Sequence, residues 1–157
     1  MLNLPEPIAL ACQPLFEALP FALAMEKLTG EYPKHTALVA AILQDPALAG
    51  RSDLAAGLWL YVDDLERSHT VSQGIHDATG SYWHSIMHRR EGDFSNSHYW
   101  MRQALDHPLL QGKHYPDPDS LIDAVAAAQG RDDAALVERQ KEEWKTLFEW
   151  CAARSSP

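Results

Sequence analysis

Apolar residues recur at three- and four-residue steps along most of this chain, and no stretch keeps the two-residue alternation of a strand. The clearest stripe is Leu54, Leu58, Val62 and Leu65, and Ser52 ahead of it predicts the N-cap of one long helix, SDLAAGLWLYVDDLERSH. Before it, Ile8 to Ala18 and Ala22 to Leu28 predict short helices interrupted at Pro14 and Pro20. His35 to Gln44 predicts another, stopped ahead of Asp45-Pro46 because the residue before proline avoids the helical region. Ser81 is the expected cap of the next helix and Gly92 its end, with Arg89 and Arg90 in the last turn, where cations suit the negative dipole end. Asp93 or Ser95 opens a helix to about Leu105, which His107-Pro108 closes. GKHYPDPDS, residues 112 to 120, reads as loop. Ser120 or Asp119 then caps LIDAVAAAQ, Gly130 breaks it, and an amphipathic helix runs from Asp132 to about Ala153. The pattern predicts an all-α, single-domain bundle over residues 1–157 with about seven to nine helices.

Its centre has a hairpin character. In YWHSIMHRREGDFSNSHYWMRQALDHP the order is helix, Gly92-Asp93-Phe94, small Ser97, bulky Met101, Ala104 and then Pro108. That order resembles a tetratricopeptide-type helical hairpin. Such repeats need about three copies to stack, and one copy is clear, so the expectation is a tetratricopeptide-like hairpin inside a bundle. Trp83, His84, Ile86, Met87, His88, Arg89, Arg90, Glu91, Asp93, Asn96, Tyr99 and Trp100 also spell a longer motif. It is similar to the W-H-x-I-M-H-R-R-E-x-D-x-x-N-x-x-Y-W run of a family of uncharacterised helical proteins, over roughly residues 58 to 108. The resemblance implies no activity.

Charge narrows the partners. With 13 basic against 22 acidic residues the chain carries −9, which repels phosphate backbones and anionic lipid, so neither nucleic acid nor membrane is an expected partner. No apolar run approaches the roughly 18 residues of a membrane span, and the opening MLNLPEPIALACQPLF carries Glu6 and three prolines rather than a basic leader. Cys12 and Cys151 stand far apart in apolar company, which predicts inert core thiols and a reducing, cytoplasmic setting.

Six of the eight histidines lie between His69 and His107. At about 100° per residue, His84, His88 and Glu91 share one stripe of their helix, roughly opposite the apolar arc of Tyr82, Trp83, Ile86 and Met87. Two imidazoles four apart can take one metal ion. Glu66 and His69 form a Glu-x-x-His step of the kind found in carboxylate-bridged metal bundles. A site built from His69, His84 and His88 requires the helix ending at Gly92 to be covered on both sides, one greasy and one polar.

Two functional readings follow, with a structural one beside them. The first is a polar groove across residues 69–102 for a small anionic molecule or a protein segment. In it Arg89, Arg90, Glu91 and Asn96 orient the ligand and Tyr82, Trp83, Tyr99 and Trp100 supply contact area, with an anion pocket between Arg89, Arg102 and His98 as a variant. The alternative is a metal-dependent hydrolase or oxidoreductase with Zn²⁺ or Fe²⁺ on His69, His84 and His88, and Glu66 or Glu91 as fourth ligand or base. The structural reading pairs His69 with Asp77 or Glu91, makes residues 137 to 145 a solvated face with an Arg139–Glu143 pair, and leaves a monomer or a homodimer joined through aromatics.

Overall fold

Eight α-helices and two single 3₁₀ turns make up the regular structure of the computed structural model, which describes residues 1–111 and 117–154. Among the described residues there is no strand, and no helix is long and apolar enough to cross a membrane. Residues 112–116 of the expected loop lie outside the described residues.

The first helix, α1 (Glu6–Ala18), runs through Pro14 instead of stopping there. Pro14 sits on the exposed face, where water can satisfy the carbonyl it frees, while Ile8, Ala11, Cys12 and Leu15 bury the opposite face across it. The helix expected from Ala22 to Leu28 does not form; one 3₁₀ turn, Phe21–Leu23, takes its place, and Met25 is left-handed at φ 55°. The carbonyls that a helix would have used internally go elsewhere. Gln140 Nε2 donates to Met25 O (2.9 Å) and Lys27 O (3.0 Å), and Lys141 Nζ donates to Ala22 O (2.8 Å). The run expected to be a solvated face therefore clamps this segment, with Gln140, Lys141 and Glu143 all buried.

After the short α2 (Thr36–Ile42), the expected long helix splits into α3 (Ser52–Tyr61) and α4 (Leu65–Ser72). Asp63 is left-handed at φ 61°, a conformation aspartate tolerates better than most residues, and the Asp64 carboxylate then caps α4 at the Arg67 N–H (3.1 Å). The break serves an interior charge: Arg90 pairs with Asp63 and donates to Leu60 O (2.6 Å), with Lys34 Nζ 3.3 Å from the second Asp63 oxygen.

Helix α5 (Ala78–Glu91) begins at an Asp77 cap on Gly80 N–H (2.9 Å), four residues ahead of the expected Ser81. Gly92, left-handed at φ 86°, ends it as expected. Asp93 caps α6 (Phe94–Gln103), and α5 and α6 form the hairpin. Ser85 Oγ donates to Ser97 O (2.8 Å) and Ser97 Oγ donates to Ser85 O (2.7 Å), so small residues bring the two axes close. Helix α7 (Pro118–Ala128) starts at an Asp117 cap inside the expected loop, and α8 (Ala134–Ala153) starts at Asp133.

Helix α5 packs against α3, α4 and α6, and nearly every residue from Thr79 to Arg90 is buried. Trp83 enters the core past Gly57 of α3, where an added Cβ would stand 2.9 Å from both Trp83 and Phe148. Arg89 crosses to α8 and donates to Glu143 Oε1 (2.5 Å); Tyr82 donates to the other oxygen (3.3 Å). Glu143 is thus the partner of Arg89, not of Arg139, which donates to Ser120 Oγ (3.1 Å).

Candidate metal centre

The covered helix that a three-histidine site requires is present. From α5 come His84, 3% exposed, and His88, 8% exposed, and the broken α3–α4 segment still turns half-buried His69 toward them. One ligand nitrogen from each of the three lies within 4.8 Å of the others. His69 stands edge-on to His84 (ring centroids 4.8 Å apart) and to His88 (5.4 Å), while His84 and His88 stack at 4.8 Å. Trp100 of α6 closes the far side, stacked on His84 at 4.0 Å and 14°.

His84 carries the sharpest signal. Its Nε2 is buried and has no hydrogen-bond partner among the described residues. Burial first, then the neighbouring His88 and His69, push its pKa down to about 4, so the ring is neutral at pH 7, the state a metal ligand needs. His88 is held differently, its Nδ1 lying 2.6 Å from Glu91 Oε1 and 3.9 Å from Asp93 Oδ2. His88, Glu91 and Asp93 form a second, more exposed group of potential ligand atoms that shares His88 with the first.

Other expected site residues fall elsewhere. Glu66 is exposed on α4, outside the three-imidazole group. Asp77 caps α5 and Glu91 holds His88, so neither is the partner of His69. The residues of the expected ligand groove do not share a surface: Tyr82, Trp83, Arg89 and Arg90 are at most 1% exposed, whereas Glu91, Asn96 and Tyr99 face outward. Asn96 instead donates to the Asp93 carboxylate (2.7 Å) at the start of α6. The anion pocket does not assemble either. Arg89 is committed to Glu143, Arg102 lies over the Tyr99 ring, and the two His98 nitrogens lie 2.8 Å from Asp119 and Asp123. Cys12 and Cys151 are buried thiols pushed up to about 12 by desolvation, as their apolar company predicts.

Sequence reading missed two features of the centre. Asp93 Oδ2 stands 3.9 Å from His88 Nδ1, and its signal is the His-x-x-Glu-x-Asp spacing, which carries the carboxylate across Gly92. Trp100 is a wall of the histidine cluster and not a groove lining, which no periodicity within one helix could show.

No family model matches this chain, and neither a curated protein nor a solved structure is similar to it.

Proposed function

We propose that this chain binds one divalent transition-metal ion, Zn²⁺ or Fe²⁺, through His69, His84 and His88, and uses it for metal-dependent hydrolysis or oxidoreduction. The observation that carries this is the buried, unpartnered Nε2 of His84 inside a cluster of three imidazoles. A buried polar atom without a partner costs about 1–3 kcal/mol. Folded chains keep such an atom where something else satisfies it, and a neutral imidazole facing two more imidazoles is a ready nitrogen donor.

The spacing is compatible. Metal–nitrogen bonds of about 2.0–2.1 Å in a tetrahedral set place the nitrogens roughly 3.4 Å apart. Ligand atoms already within 4.8 Å reach that by small ring rotations. Three protein ligands would leave a coordination position open, the pattern of catalytic rather than structural zinc, and His69 is only half-buried. An ion there would supply Lewis-acid chemistry and acidify a bound water. The overall charge of −9 favours cation uptake.

Metal content of purified protein is the test, paired with tryptophan emission during titration with Co²⁺ or Ni²⁺. One equivalent bound by the parent, lost in His84→Ala/His88→Ala, and quenching that disappears in Trp100→Phe support the reading. A parent that binds no zinc, iron or cobalt overturns it.

A further inference from the structure

We infer that Glu91 is a positioning residue for this centre: it holds the His88 proton on Nδ1 and so points the Nε2 lone pair at the metal position. This rests on the metal reading above. The contact comes from α5 itself, because residues three apart share a helix face, and Glu91 is the last residue of that helix. Its Oε1 lies 2.6 Å from His88 Nδ1, and among the described residues no hydrogen bond occupies His88 Nε2.

The chemistry fixes the tautomer. An ionised carboxylate only accepts hydrogen bonds, and a neutral imidazole has one donor nitrogen and one acceptor. A contact this short therefore places the proton on Nδ1 and leaves Nε2 as the donor to a cation. Free histidine in water favours the opposite tautomer, so Glu91 reverses the intrinsic preference. Asp93 reinforces it from 3.9 Å, and its own position is fixed at the head of α6 by Asn96, whose N–H (3.2 Å) and side-chain amide (2.7 Å) both donate to it. A carboxylate behind a ligand histidine raises its basicity and locks its ring, and losing one weakens metal binding about 10–100-fold. In this reading Glu91 orients His88, with its Oε1 engaged by the His88 Nδ1.

Two measurements on the full chain separate this from a merely structural contact. Ring ¹⁵N shifts of His88 in metal-free protein at neutral pH report the tautomer, and competition with a chromophoric chelator gives the Zn²⁺ dissociation constant. The expected result is Nδ1–H in the parent and Nε2–H in Glu91→Ala. Zn²⁺ binding should weaken about 10–100-fold in Glu91→Ala, with partial recovery in Glu91→Gln, which keeps an acceptor oxygen. Glu91 is 40% exposed, so the variants fold. Nε2–H in the parent, or an unchanged Zn²⁺ constant in Glu91→Ala, overturns the inference while leaving the three-histidine site standing. Two Zn²⁺ equivalents, the second lost in Glu91→Ala, also overturn it, since Glu91 and Asp93 would then hold their own ion. A parent that takes up no Zn²⁺ removes both readings.

Discussion

Replacing His84 with phenylalanine should leave the metal-free protein almost as stable as the parent and should abolish its response to metal. The substitution keeps a flat ring against Trp100, 4.0 Å away, and against His88, and replaces the buried Nε2 that has no partner. Removing an unsatisfied buried nitrogen returns about 1–3 kcal/mol. Fitting the larger ring into a packed site costs about the same, 1–3 kcal/mol. The two offset, and metal-free melting temperatures should agree within about 1 kcal/mol, or roughly 2–4 °C for a chain of this size. With Zn²⁺ at 100 times its dissociation constant the parent gains about 2.7 kcal/mol. That is on the order of 5–11 °C by the same conversion, and His84→Phe gains nothing.

The assay is thermal denaturation of both proteins, first with a chelator and then with excess Zn²⁺, followed by circular dichroism. The expected signature is two curves that coincide without metal and separate with it. A satisfied core histidine behaves in the opposite way: the variant would strand its partners and melt well below the parent in chelator, and added Zn²⁺ would move neither curve. That second outcome refutes the reasoning.

Four further outcomes follow from the same structure. Buried His107 accepts from Leu109 N–H at Nδ1 and sits 3.1 Å from Thr79 Oγ1 through Nε2; burial first, then Arg154, lower its pKa to about 4. A folded value below the unfolded value of about 6.5 means its stabilisation is complete above that pH and is lost as pH falls from about 6.5 toward 4. The loss is on the order of 3 kcal/mol, and urea melts at pH 7 and 5 should show a flatter pH dependence in His107→Gln. Glu143→Ala strands the Arg89 charge and should cost about 3–5 kcal/mol in urea denaturation, most of it recovered in Arg89→Met/Glu143→Leu. Gly57→Ala drives a Cβ to 2.9 Å from Trp83 and Phe148 and should cost about 1–3 kcal/mol. Gly92→Ala meets open space and should cost only the left-handed backbone strain, about 1 kcal/mol.

What the sequence made legible here was local. Helix periodicity, the glycine stop at Gly92 and the caps at Asp93 and near Asp132 all act within one turn, and each appears where the pattern put it, to within a residue. The split at Asp63 was not legible, because its cause is Arg90, 27 residues on, and a polar residue between two apolar stripes reads equally well as the outer face of a continuous helix. The same holds for the missing helix after Pro20: its carbonyls are claimed by Gln140 and Lys141, more than a hundred residues away. Arg89 and Arg90 misled for a related reason. Cations in a last turn normally face water and the dipole end, and nothing within α5 says that Glu143 and Asp63 will meet them inside.

The site divides along the same line, and the division explains why its chemistry emerges only in three dimensions. The four-residue step from His84 to His88 was visible, since a helix alone puts both imidazoles on one stripe. Membership of His69 depended on α5 being covered on both sides, a condition set by α4 and α6 together. The Glu-x-x-His step then pointed to Glu66, because spacing alone cannot distinguish a carboxylate beside a ligand from one turned to solvent. The buried ion pairs supply the missing logic. By burying the base of α5 through Arg89–Glu143 and Arg90–Asp63, the fold holds both flanks of that helix in protein, and among the described residues the buried Nε2 of His84 on its polar side is left without a partner. By that coupling, Glu143→Ala should loosen the histidine cluster as well as the core. Zn²⁺ affinity in that variant should fall together with stability, and in Arg89→Met/Glu143→Leu it should return with it. Affinity that stays low in the restored double variant would show that Arg89 or Glu143 acts on the centre directly rather than through burial of α5.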